Sequence, residues 1–154
     1  MKRTIAFAVL FSFLAATSWS QKKPDGFNGT WKLNVEKTKQ LSGGASPADE
    51  VISFKIGDDD VQHYQVMIQG KAGGPQSRGW YDSKYNEAKF VPYHGEVYNG
   101  QMTVMTVKVD DRTHYRIARN AKGEAQYIMM RRLTDDGKSY IAVGLTTDGK
   151  PGLW

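Results

Sequence analysis

From residue 27 onward the chain alternates apolar and polar side chains in short runs, each closed by glycine, asparagine, aspartate or proline. In the run that opens at Thr30, the side chains of Trp31, Leu33 and Val35 share one face and those of Lys32 and Asn34 the other. That period of two is what a strand half buried against a core requires. Ile52, Phe54 and Ile56 repeat the pattern, and Gly57 with the aspartates at 58–60 turns the chain into 61–69, which predicts a hairpin. Runs over 78–85 and 88–93 meet at Asn86-Glu87. Asn99-Gly100 suits a tight hairpin because both positions tolerate positive φ, and it leads into the long run 101–109. Further turn signals at 110–111, 120–123 and 135–137 separate the runs 113–119, 124–133 and 138–145. One short helical turn is expected over 36–41, ended by the glycine- and serine-rich stretch 42–47. About seven to nine strands without a long amphipathic helix predict an all-β, antiparallel barrel or sandwich, and closing the sheet would remove its exposed edges.

The first twenty residues break this pattern. Lys2 and Arg3 precede an apolar run over 5–16, and Ser18 and Ser20 place small residues where a secretory signal is cut. The run is shorter than the roughly 20 residues a bilayer span needs, so no stable membrane anchor is expected after cleavage. The expected organisation is a signal peptide over 1–20, a flexible lead over 21–26 and one barrel domain over 27–154, secreted or periplasmic. Removing the signal takes Lys2 and Arg3 away and lowers the net charge by two from +5. The remaining cations are spread among acids, which argues against a nucleic-acid partner. With no cysteine, stability outside the cytoplasm has to come from an ordinary core.

Gly29-Thr30-Trp31-Lys32-Leu33-Asn34, the following Lys37-Thr38-Lys39, Trp80 ahead of Lys84-Tyr85, and Leu133-Thr134-Asp135-Asp136-Gly137-Lys138 carry a resemblance. The chain resembles small secreted bacterial proteins with a lipocalin-like, or calycin-like, barrel, mostly without a known activity. The resemblance covers most of 27–150 and implies structural roles for Gly29 and Trp31, with Trp31 packed across the closed end. Related chains usually continue past the point where this one stops at Gly152-Leu153-Trp154, which implies a very short last strand or an incompletely closed barrel.

Candidate chemistry is sparse. The three histidines each adjoin a tyrosine, as His63-Tyr64, Tyr93-His94 and His114-Tyr115. Neutral imidazole near neutral pH suits general acid–base work, so His63, His94, His114 and Tyr115 are the catalytic candidates if the domain is an enzyme. No His-x-His pair supports zinc, the aspartates at 58–60 lack the other oxygens of a calcium loop, and neither metal nor cofactor is expected. The glycines at 70–74 lack the lysine of a phosphate loop, and no serine sits in a nucleophile elbow. Glu96 and Glu124 beside turns do not form the paired carboxylates of a glycosidase.

The late strands say more. Met102, Val104, Thr106 and Lys108 alternate with Thr103, Met105, Val107 and Val109, and Tyr127, Met129, Arg131 and Leu133 alternate with Gln126, Ile128, Met130 and Arg132. Both faces are partly apolar, as in a barrel with a lined cavity or a sheet covered by a partner. Methionines suit an adaptable apolar pocket, and an inward arginine suits a ligand carboxylate. The sequence therefore predicts a secreted protein that binds a small, partly apolar molecule through Tyr64, Trp80, Met105, Arg116, Tyr127, Met129 and Arg131. The alternatives are a cofactor-independent lyase or isomerase in the same cavity, and a cell-envelope protein-interaction module.

Overall fold

The computed structural model describes residues 24–147 and the backbone of 151–153; the expected signal peptide lies outside the described residues. The strands are β1 (Gly29–Lys32), β2 (Asp49–Ile56), β3 (Val61–Gln69), β4 (Gln76–Lys84), β5 (Val91–Gly95), β6 (Met102–Asp110), β7 (Thr113–Asn120), β8 (Ala125–Leu133), β9 (Tyr140–Thr146) and β10 (Pro151–Leu153), with one helix, α1 (Val35–Leu41), after β1. Nine strands thus have four residues or more, and the last has three. Each strand pairs antiparallel with its neighbour in sequence, so the sheet is a plain meander in chain order. It is an all-β, strongly curled and incompletely closed barrel: β1 pairs with β2, β10 pairs with β9, and no ladder among the described residues joins β1 to β10.

Side chains and not backbone bonds span that seam. Tyr140 at the start of β9 stands edge-on to Trp31 of β1, with ring centroids 5.1 Å apart, and lies 5.8 Å from Phe27. A second weak point falls at β5, whose ladder with β4 has only two residue pairs, Gly79 with Gly95 and Trp80 with His94. Gly95 has φ +93°, and a Cβ there would sit 2.2 Å from the Arg78 carbonyl oxygen, so both backbone shape and close approach demand glycine. Where β5 ends short, β4 and β6 meet directly through the buried hydroxyls of Ser83 and Thr106, 2.8 Å apart.

The alternation expected from the sequence sets the interior. Ile52 and Phe54, Tyr64 and Val66, Tyr81 and Ser83, Val104 and Thr106, and Met129 and Arg131 are all buried, two apart on their strands. The strand expected to carry Val35 stops earlier, at Lys32. Asn34 caps a helix instead, its side-chain oxygen accepting from the Lys37 N–H at 3.0 Å, and Val35 becomes the first helical residue. The aspartate turn closes locally: Asp59 Oδ1 accepts from the Val61 N–H at 3.2 Å, and Asp60 adopts φ 61°.

The lead is not loose where it is described. Asp25 points inward and receives Lys108 at 2.9 Å, the next glycine lies against Leu133, and Phe27 is wholly buried. Phe27 contacts the rings of Phe54, Tyr140 and His114, so it fills the base of the barrel, and Trp31 sits above it, half-buried, donating its indole N–H to the Phe27 carbonyl at 2.8 Å.

The outer wall of β6–β9 is also apolar. Met105, Ile117, Ile128 and Leu145 stand opposite one another across four strands, and Val107, Tyr115, Met130 and Val143 form a second row. Ile128 and Leu145 are exposed.

Candidate functional site

Above the base, the barrel encloses a cavity of about 1270 Å³. It lies toward the end where β2 begins and β3 finishes, and Thr38 and Leu41 of α1 border it. Its lining mixes apolar side chains, Trp31, Ile52, Ile68, Val97 and Met102, with polar ones, Tyr64, Tyr127, Tyr140, Glu50, Arg116 and Arg131, and the exposed Lys32, Lys37 and Lys138 also border it.

Arg116 and Arg131 define the chemistry. Both project inward from adjacent strands, β7 and β8, and are 4 % and 2 % exposed. No carboxylate among the described residues comes within ion-pairing distance of either. Their charges rest on aromatic faces: the Arg116 guanidinium is 5.3 Å from the Tyr64 ring, 5.8 Å from Tyr93 and 5.3 Å from Tyr127, while that of Arg131 is 5.4 Å from Phe54 and 5.3 Å from Tyr64. Tyr64 therefore serves both cations. Desolvated cation–π contacts are worth about 2 kcal/mol each, enough to offset much of the cost of burying the charge. They supply no acceptor, however. Nε and Nη1 of Arg116 and Nε of Arg131 are buried without a hydrogen-bond partner, as is the Tyr127 hydroxyl, and the remaining Arg116 nitrogen reaches only the Met129 sulfur at 3.7 Å. A buried donor left unmade costs about 1–3 kcal/mol, more on a charged group.

Burial works against both guanidinium charges, and for Arg131 the neighbouring Arg116 does too, but the surrounding phenol oxygens more than offset this and both stay protonated. Glu50 is the one carboxylate on the cavity wall. Burial pushes its carboxyl above the usual range, with Arg131 and Arg116 pulling the other way. Burial likewise pushes the Tyr64 and Tyr127 phenols up, so they remain donors. The site thus offers two fixed cations, neutral hydroxyls and a carboxylate reluctant to ionise, among apolar side chains.

Beneath the cavity runs a separate polar chain. Lys108 meets Asp25, Asp25 lies 3.6 Å from His114 Nε2, and His114 Nδ1 lies 2.7 Å from the Tyr85 hydroxyl. Gln62 donates to that hydroxyl and accepts from the Tyr81 hydroxyl at 2.8 Å. Burial first of all raises the Asp25 carboxyl, but bonds from His114, Lys108 and the Phe27 N–H outweigh it and bring the group down to about 2. Burial lowers His114, with Asp25 opposing.

Of the residues singled out in the sequence, Tyr64, Arg116, Tyr127, Met129 and Arg131 come together on the cavity wall. Met105 and Tyr115 stand on the outer wall, in the rows already described. Trp80 is exposed and stacks on His94, and His63 is exposed and bonded to Asp82 at 2.7 Å. The three histidines therefore do not meet: His114 is in the base, and His63 and His94 face outward on β3 and β5. Gly29 has φ +133° and Trp31 borders the cavity. Asp25, Glu50, Gln62, Tyr81 and Tyr85 were missed. Glu50 and Gln62 share strand parity with Ile52 and Tyr64, so a polar residue at an inward position was the available signal. Among the described residues there is no group of three His, Asp or Glu side chains placed to hold a metal ion. No family model matches the chain, and neither a curated protein nor a solved structure does.

Proposed function

We propose that this is a secreted or periplasmic protein of the lipocalin-like type that binds a small, partly apolar molecule inside its barrel. The observation that carries the reading is the cavity of about 1270 Å³, lined by apolar side chains together with two buried guanidinium groups and several hydroxyls. Binding pockets have this character: mostly apolar area, with a few placed polar groups that fix orientation. The two cations are held by packing on rigid strands, so the site is preorganised.

Acid–base catalysis has less support. His114 is engaged below the cavity and the other two histidines lie outside it, so no histidine among the described residues lines the cavity. The envelope-module reading draws on the apolar outer wall of β6–β9, which is the size of feature that marks partner surfaces.

A neutral fluorescent reporter, N-phenyl-1-naphthylamine, tests the binding reading. It is expected to bind the protein with enhanced emission, and Ala142→Phe, which fills the cavity beside Arg131, is expected to weaken it at least ~10-fold while the protein stays folded. Equal binding by the variant would place the reporter on the outer wall and remove the support for a cavity ligand.

A further inference from the structure

The sealed, unpaired cations specify what kind of molecule the cavity takes. We infer that the ligand is an organic anion, a carboxylate with an apolar body, whose charged group is bound by Arg116 and Arg131. This deepens the binding reading above and rests on it.

Charge decides first. Among the described lining residues the cavity presents two buried guanidinium groups, with the exposed Lys32, Lys37 and Lys138 also bordering it, against a single carboxylate, Glu50. A neutral ligand would leave both cations as they are, and a cationic one would add a third like charge in a medium of low dielectric constant. An anion removes the imbalance. Geometry decides next. The guanidinium groups stand on neighbouring strands, two residues apart in register: Arg116 faces Met129, and Arg131 faces His114. Both border the same cavity and share the Tyr64 ring. A planar, two-oxygen acceptor matches the guanidinium fork, which a point acceptor such as a hydroxyl does not. The arginines lie toward the base, and the apolar body would pack on the apolar residues of the lining, among them Trp31, Ile52, Ile68 and Val97.

The test compares one apolar body with different heads. Dodecanoate, dodecanol and dodecylamine are titrated against the protein carrying N-phenyl-1-naphthylamine, near neutral pH. Dodecanoate is expected to displace the reporter at least ~10-fold more tightly than dodecanol, a factor equal to about 1.4 kcal/mol, and dodecylamine to be weakest. Arg116→Met is expected to erase the preference for dodecanoate over dodecanol while the neutral reporter still binds. It is also expected to leave the melting temperature unchanged or raised, because a buried charge without a partner gives way to an apolar side chain of similar length. Equal displacement by dodecanoate and dodecanol in the unaltered protein would overturn the inference and leave the binding reading standing. Failure of the reporter to bind at all would overturn the binding reading and the inference with it. If Arg116→Met unfolds the protein, the head-group comparison on the unaltered chain still decides the question.

Discussion

Phe27→Ala is expected to cost about 3–5 kcal/mol of folding stability, measured by denaturant unfolding, as for other fully buried aromatic residues cut to alanine. Phe27 is 0 % exposed and its ring touches the rings of Phe54 on β2, Tyr140 on β9 and His114 on β7. It therefore links strands from both sides of a seam that carries no ladder among the described residues. Removing it leaves a void in a place that cannot collapse without moving β1 and β9 independently. The loss should be accompanied by faster amide exchange at Gly29–Lys32 and Tyr140–Thr146 than at Met102–Asp110. A loss under about 1 kcal/mol, with exchange unchanged in β1 and β9, would show that the base is held by something else.

Acid should weaken the fold in two steps, and Asp25 should account for the second. The sign follows from the direction of each group. Burial lowers His114 below its ordinary 6.5, so the unfolded chain binds that proton more readily and stability declines as pH falls from about 6.5. Asp25 is held down at about 2 against an ordinary 3.8, so its contribution is complete above 3.8 and disappears as pH falls from there through about 2. That difference corresponds to about 2 kcal/mol. Glu50, raised by burial, has the opposite sign: it adds stability as pH falls toward its ordinary 4.5, above the window in which Asp25 acts. Asp25→Asn removes one titration and, by taking away the group that opposes burial at His114, moves His114 further down. It is expected to lower stability near neutral pH by about 2 kcal/mol and to flatten the decline between pH 4 and pH 2. A parallel pH profile for the variant and the unaltered protein would remove Asp25 from the account.

Much of the fold could be read from the alternation, and the reasons for the exceptions are local. The hairpin at 57–60 and the turn at Asn99-Gly100 follow from residues that accept positive φ, and Asp60, Asn99 and Gly100 adopt it. The inward sets on β6 and β8 follow from parity alone. Val35 went to a helix because Asn34 is a better cap than strand residue, a side-chain–backbone bond competing with a ladder bond. In the part of the lead that is described, Asp25 is drawn inward by Lys108, a partner 83 positions away that polar residues beside a proline do not signal.

The site divides along the same line. Arg116, Tyr127, Met129 and Arg131 were found because parity aligned them with buried neighbours. Trp80, Met105 and Tyr115 were chosen for residue type, and their parity sends them to the outer wall. Histidine chemistry suggested His63 and His94 for the same reason, while the acid, amide and phenol around His114 come from the lead, β3 and β4, three segments whose convergence only the barrel creates.

Native mass spectrometry of the protein purified from the organism that makes it tests the central claim most directly. The account predicts one small organic acid retained per chain, released on unfolding, and missing from the Arg116→Met protein. A chain that carries a neutral molecule or a protein partner in place of an acid, or that is empty and also fails to take up dodecanoate, would contradict it.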